Sequence, residues 1–232
     1  MISGLARAGK LWPPRQVSLA GGTSTSTAWG VGTPGAGYST QFAGTESPLS
    51  EGGVWTNGGT TGLDWTDVRK TPNLAFATSA SGYRDSIACL SGYPARMSSR
   101  GIIHMGVVGA GETHEIELLH RFVITPHNAR GYETLLNNGG NIQFVRWNGA
   151  VNDFTVLSGG ANVSIKDGDE FRVDIIGNVI SVYLNGAFVT TADVTRNGGT
   201  VWSDGSPGIG FDKSAAGSYD AFGLKSFSTY PV

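Results

Sequence analysis

The chain has 232 residues, 36 of them glycine, with 16 Lys and Arg against 18 Asp and Glu, a formal net charge of −2. So balanced a charge excludes the basic field of a nucleic-acid or anionic-membrane binder, and no apolar run approaches the ~20 residues of a membrane helix. Hydrophobic residues at 39% exclude a wholly disordered chain, and the single Cys89 excludes an intramolecular disulfide or a Cys-based zinc site.

Residues 1–15 hold three basic residues but no apolar stretch of ~7 or more, so no secretory signal is expected. Residues 20–40 are uncharged and nearly all Gly, Ser, Thr and Ala. Such a stretch buries too little apolar surface to offset its ordering entropy alone. Residues 1–40 are therefore expected to form an extended arm that orders against a partner, with Leu11, Trp12 and Trp29 as the anchoring groups. From Gln41 the pattern becomes strand, turn, strand, and Leu63–Val68 is the best short helix candidate. In the stretch 114–123, Ile116, Leu118, His120 and Phe122 fall on one strand face and Glu115, Glu117, Leu119 and Arg121 on the other. Tyr132–Leu136 and Ile142–Trp147 flank Asn137-Asn138-Gly139-Gly140, a hairpin signal. Phe171, Val173 and Ile175 alternate; Gly177-Asn178 turns the chain into Val179–Leu184, and Asn185-Gly186 turns it again into Ala187–Thr191. Gly208–Phe211 and Ala221–Ser228 read as closing strands. Turn signals at this spacing predict an all-β chain, an antiparallel sandwich over residues 41–232.

The order of these elements resembles the concanavalin A-like (laminin-G-like) jelly-roll superfamily. The likeness is carried by Phe42–Asn57, by HEIELLHRF followed by ARGYETLL, by Gly168–Asp193 with its Asn-Gly turn, and by Ser206–Phe227. It implies a jelly-roll fold and leaves activity open, because lectins, hydrolases, lyases and structural modules share that fold.

Within this resemblance, laminarinase-like hydrolases set acids at alternating positions of one strand, so that two carboxyls flank the glycosidic bond. Glu115 and Glu117 match two of those positions, but Leu119 or His120 stands at the third, and the two glutamates are expected to be a solvated face. Alginate-lyase-like relatives use a Tyr/His pair; Lys213, Gly217 and Tyr219 loosely resemble their C-terminal motif, with Asp220-Ala221 replacing its ending. His104, His114 and His120 lie in candidate strands, and whether they share a cleft with Arg121 stays open. Asp167-Gly168-Asp169-Glu170 is read as a charged hairpin turn, so no metal or cofactor is expected; a calcium ion on scattered carbonyls stays open. For carbohydrate binding, the candidates are Trp147 with Asn148, Asn152 and Asp153, then Trp202 with Asp204, and Tyr132, aromatic faces beside amide and carboxylate groups.

The expectation that collects these observations is a non-enzymatic accessory protein of a bacteriophage virion. Residues 1–40 would attach it to a capsid or tail protein, a host glycan would bind weakly on the sandwich, and the assembly would be a homotrimer without nucleic-acid or membrane partners. The alternative is a secreted polysaccharide-active hydrolase or lyase, or a carbohydrate-binding module, with degenerate motifs.

Overall fold

A computed structural model describes residues 37–78, 85–150, 152–214 and 218–232. The chain opens with β1 (Tyr38–Thr40), β2 (Trp55–Asn57), a single turn α1 (Gly58–Thr61), β3 (Thr66–Asp67), β4 (Arg69–Thr71), β5 (Leu74–Phe76) and β6 (Ser86–Leu90). Longer strands follow: β7 (Met97–Met105), β8 (His114–Thr125), β9 (Asn128–Asn137), β10 (Asn141–Gly149) and β11 (Phe154–Asn162). The last set is β12 (Glu170–Ile176), β13 (Val179–Leu184), β14 (Ala187–Asp193), β15 (Ser206–Lys213) and β16 (Phe222–Pro231). They form two sheets. The first runs β14-β13-β12-β7-β16-β5-β4 with β1 added on β16, and the second runs β11-β10-β9-β8-β15-β6-β2 with β3 added on β6. Among the described residues the long strands pair antiparallel, and only the short β3 pairs parallel, with β6.

Turn chemistry closes the hairpins where the sequence predicts them. Asn137 Oδ1 accepts from the backbone N–H groups of Gly139 and Asn141, both at 3.0 Å, which fixes the β9–β10 connection. Asn185 (φ 50°) and Gly186 (φ 79°) both take the positive φ that a two-residue hairpin turn requires.

Alternation then sorts the side chains. Ile116 and Leu118 of β8, Tyr132 and Leu136 of β9, and Ile209 and Phe211 of β15 meet Phe171, Val173, Ile180, Val182 and Phe227 of the first sheet in one buried core. A second apolar cluster forms from Leu63, Trp65, Leu119, Phe122, Leu135, Val145 and Trp147. Leu119, Leu135, Val145 and Trp147 alternate with core residues of their strands, so this cluster lies on the outer face of the second sheet.

Two sequence expectations are corrected. Leu63–Val68 is no helix: Leu63 and Trp65, two residues apart, both enter the outer cluster, the period of extended chain, and Thr66 N–H donates to Asp85 O at 3.0 Å. Phe122 does not share a face with Ile116 and Leu118. The register steps from His120↔Tyr132 to Val123↔Arg130, one extra residue, with Arg121 at φ 50°. This bulge sends Phe122 to the outer cluster. It also aims the Arg121 guanidinium at three loop carbonyls, of Ala95 (3.0 Å), Trp202 (3.1 Å) and Gly177 (2.6 Å).

His120 is fully buried, and neither ring nitrogen has a hydrogen-bond partner. Burial, helped by the Arg121 charge, pushes its pKa down to about 3. The imidazole is neutral when folded and protonates near its ordinary ~6.5 only when unfolded, so stability falls as pH drops from ~6.5 toward 3. Urea unfolding of the wild type and His120→Leu at pH 7 and pH 5 is expected to show the wild type losing about 2 kcal/mol relative to the variant. An unchanged difference means that His120 finds a partner for its proton.

Candidate functional site on the outer sheet face

The strand positions next to core residues carry acids. Beside Ile116 and Leu118 stand Glu115 and Glu117, beside Tyr132 stands Glu133, beside Phe211 stands Asp212, and Asp85 leads into β6. Register aligns them, since Glu117 faces Gly210 across the β8–β15 ladder and Glu115 faces Asp212. Gly210 in turn pairs with Ile87 of β6. A Cβ at Gly210 would stand 2.0 Å from Glu117 Oε2, so this glycine is the gap through which the Glu117 carboxyl leans across β15. Asp85, Glu117 and Glu133 thereby bring one carboxylate oxygen each to within 4.8 Å of one another.

Glu117 is 1% exposed, and neither carboxylate oxygen has a hydrogen-bond partner. Glu133 Oε2 accepts from Trp147 Nε1 at 2.6 Å. Among the described residues, no ion pair reaches any of the five carboxyls. Lys213, one residue from Asp212, instead binds Glu112 at 3.1 Å and the carbonyl of Ser218 at 3.0 Å.

Burial without counter-charge makes ionisation costly. It holds Glu117 and Asp85 well above the usual carboxylate range, with neighbouring carboxylates adding to the rise. Glu133 is pushed up to about 8 by burial, against the lowering effect of the Trp147 hydrogen bond. Glu115 is pushed up to about 7 by burial and then by Asp212, and burial raises Asp212 as well. The group titrates as a unit and keeps part of its protons at neutral pH. Three clustered carboxyls also form an all-oxygen donor set of the kind hard cations use.

Above this floor lies a cavity of about 350 Å³. Its lining combines the carboxyls of Asp85, Glu115, Glu133 and Asp212 with the apolar Leu135, Val145, Trp147 and Phe154, and with Gln143 and Ser214.

Of the residues the sequence singles out, Glu115 and Trp147 meet at this cavity, and Glu117 lies beneath it. The two glutamates are not an evenly solvated face: Glu117 is buried, and Glu115 is half-buried at the cavity. Trp147 is 3% exposed, set edge-on to Trp65 at 4.4 Å and tilted against Phe154 at 5.2 Å, so it is a wall and not an open platform. Asn148, next to last in β10, donates from Nδ2 to Asp153 Oδ1 at 3.2 Å. Trp202 donates from Nε1 to the Trp147 carbonyl at 3.0 Å, with Arg130 over its ring at 4.8 Å. Tyr219 lies near Lys213 and Arg69 and does not line the cavity. The histidines and Arg121 do not converge: His104 faces Asp167, His114 binds Glu112, His120 is enclosed, and Arg121 holds loop carbonyls. Asp167-Gly168-Asp169-Glu170 is a turn, in which Asp169 accepts from Lys166 N–H and Asn185 Nδ2. Leu11, Trp12 and Trp29 lie outside the described residues. The sequence reading misses Asp85, Glu133 and Asp212; their one signal is a place beside core residues, and the strand order that unites them is not written locally.

No family model matches the chain, and no curated protein matches it. Among solved structures, the chain is similar to the carbohydrate binding module CBM66 from Bacillus subtilis, with 15% identity over 74% of this chain and 91% of that one, TM-score 0.51. It is also similar to the apo Crh5 transglycosylase, with 13% identity over 84% of each chain, TM-score 0.50. A GH16 protein from the mixed linkage glucan locus of Bacteroides ovatus aligns at 11% identity over 83% and 96%, TM-score 0.47. At these identities the likeness speaks to the fold alone, an all-β sandwich of two sheets. The expectation of a non-enzyme is corrected, because a transglycosylase stands among the solved structures that share this architecture. The virion, capsid and tail assignments draw no support from these structures.

Glu117 is held protonated by the fold, so its contribution to stability is greatest below its unfolded value of ~4.3 and is lost as pH rises toward its elevated folded value. In EDTA at pH 8, Glu117→Gln is expected to raise the unfolding midpoint, by about 2–4 °C for each kcal/mol of relief. The gain should close at pH 4.5, where the wild-type carboxyl is neutral too. A midpoint lower than wild type at pH 8 contradicts the uncompensated burial of this group.

Proposed function

We propose that the cavity on the outer face of the second sheet binds a glycan and that its carboxyls act on a glycosidic bond. The observation that carries this reading is a cavity lining that combines aromatic and aliphatic side chains with four carboxyls. A pyranose ring matches that combination, with C–H faces that pack on rings and hydroxyls that donate to carboxylates.

Glu115 and Asp212 are direct register partners on adjacent strands. Such partners have Cβ atoms about 4.5–5.5 Å apart, the scale on which retaining glycosidases hold their two carboxyls, about 5–5.5 Å. One carboxyl would donate a proton to the leaving oxygen while the other attacks or supports the anomeric carbon, ending in hydrolysis or transfer to a second sugar. Elimination from a uronate is disfavoured. It needs a cation to neutralise the sugar acid, and the lining residues present carboxyls in its place.

The test is a glycan array for retention by the full chain, together with reducing-end release from neutral polysaccharides. Glu115→Gln is expected to keep retention and lose about 10²–10⁴-fold in rate. Neither retention nor release from the intact chain would sink the reading.

A further inference from the structure

We propose that Asp85, Glu117 and Glu133 bind a hard divalent cation, with calcium as the ion named for the test. Three observations support it together. Their oxygens already lie within 4.8 Å of one another, drawn from the lead into β6, from β8 and from β9. Glu117 is buried and aimed into this group with both oxygens unpartnered, although an enclosed carboxyl normally gathers donors. The opening that admits it is made by Gly210, where any side chain would meet the Glu117 carboxyl.

No described side chain supplies positive charge here, and the one donor among the described side chains is neutral, Trp147 Nε1 on Glu133 at 2.6 Å. That bond adds no positive charge and fixes the orientation of Glu133, as an outer partner does for a metal-ligating carboxylate. Hard cations take oxygen ligands and complete their coordination with water. Asp85 and Glu133 both line the cavity, so the open positions would face its solvent. The cation site does not depend on glycan binding.

The full chain, stripped with EDTA and dialysed at pH 7.5, is titrated with calcium chloride in a calorimeter and with terbium chloride under tryptophan excitation. Trp147 touches a ligand carboxylate, so bound terbium is expected to luminesce and calcium to quench the signal by displacement. Glu117→Gln and Asp85→Asn are each expected to weaken binding at least about tenfold, and Trp147→Phe to dim the terbium signal. Glu117→Gln preserves side-chain shape, and a cooperative unfolding transition for each variant shows that lost binding is not lost folding. No calcium heat and no terbium luminescence at millimolar ion overturns the proposal, as does binding that persists undiminished in the Glu117→Gln/Asp85→Asn double variant. Calcium binding without glycan retention removes only the glycan reading, and the converse removes only the cation.

Discussion

The alternation of β8 is the constraint on which the site depends. Ile116 and Leu118 are fixed in the core between the sheets, so Glu115, Glu117 and Leu119 must emerge on the opposite face. The same rule on β9, with Tyr132 and Leu136 inside, sends Glu133 and Leu135 outward, and on β15 it sends Gly210 and Asp212 outward around Phe211. A slip of one residue would exchange carboxyls for Ile and Leu in the core, which makes the register costly to change. The apolar interior thus positions the acids without touching them.

What makes those acids unusual is the cover over them. An outward face of an antiparallel sheet commonly meets water, where carboxylates are solvated at no cost. Here Leu63 and Trp65 pack beside Leu119, Phe122 and Trp147 on that face. Asp85, Glu117 and Glu133 are buried with no cationic partner among the described residues, an arrangement that costs stability unless protons or a cation supply the balance. Placing the cost on central strands keeps the geometry rigid, as a reacting or coordinating group requires.

Features set by neighbours in sequence were legible, and those set by strand order were not. The Asn137–Gly140 and Asn185-Gly186 turns, the faces of β12 and β13, and the all-β class follow from local turn chemistry and period-2 patterning. The Phe122 face was misread because a single extra residue at Arg121 inverts the alternation, and a bulge leaves no mark in composition. β11 contains Gly159 and Gly160 and lacks a clear hydrophobic alternation, so its strand is fixed by pairing with β10. The acid cluster is the clearest case. Glu115 and Glu117 were visible as a pair, but Asp85 and Asp212 join them only because β15 inserts between β8 and β6. Trp147 was recognised as important from its neighbours Asn148 and Asp153, yet its role as a wall comes from Trp65, more than eighty positions away.

Trp147 is also where the parts of the site meet. Its ring completes the apolar wall with Phe154, its Nε1 orients Glu133, and its carbonyl receives Trp202 Nε1. Trp202 is in turn held by Arg121 and by the Tyr132 hydroxyl, which accepts from its N–H at 2.8 Å. The bulge that displaced Phe122 therefore also steadies, through Arg121 and Trp202, the residue that supports the cavity wall. A sugar lying on that wall and a cation on the floor would share Glu133. Any preference of one ligand for the charge or position of that carboxylate must then be felt by the other, equally in both directions, because coupling between two binding equilibria is reciprocal.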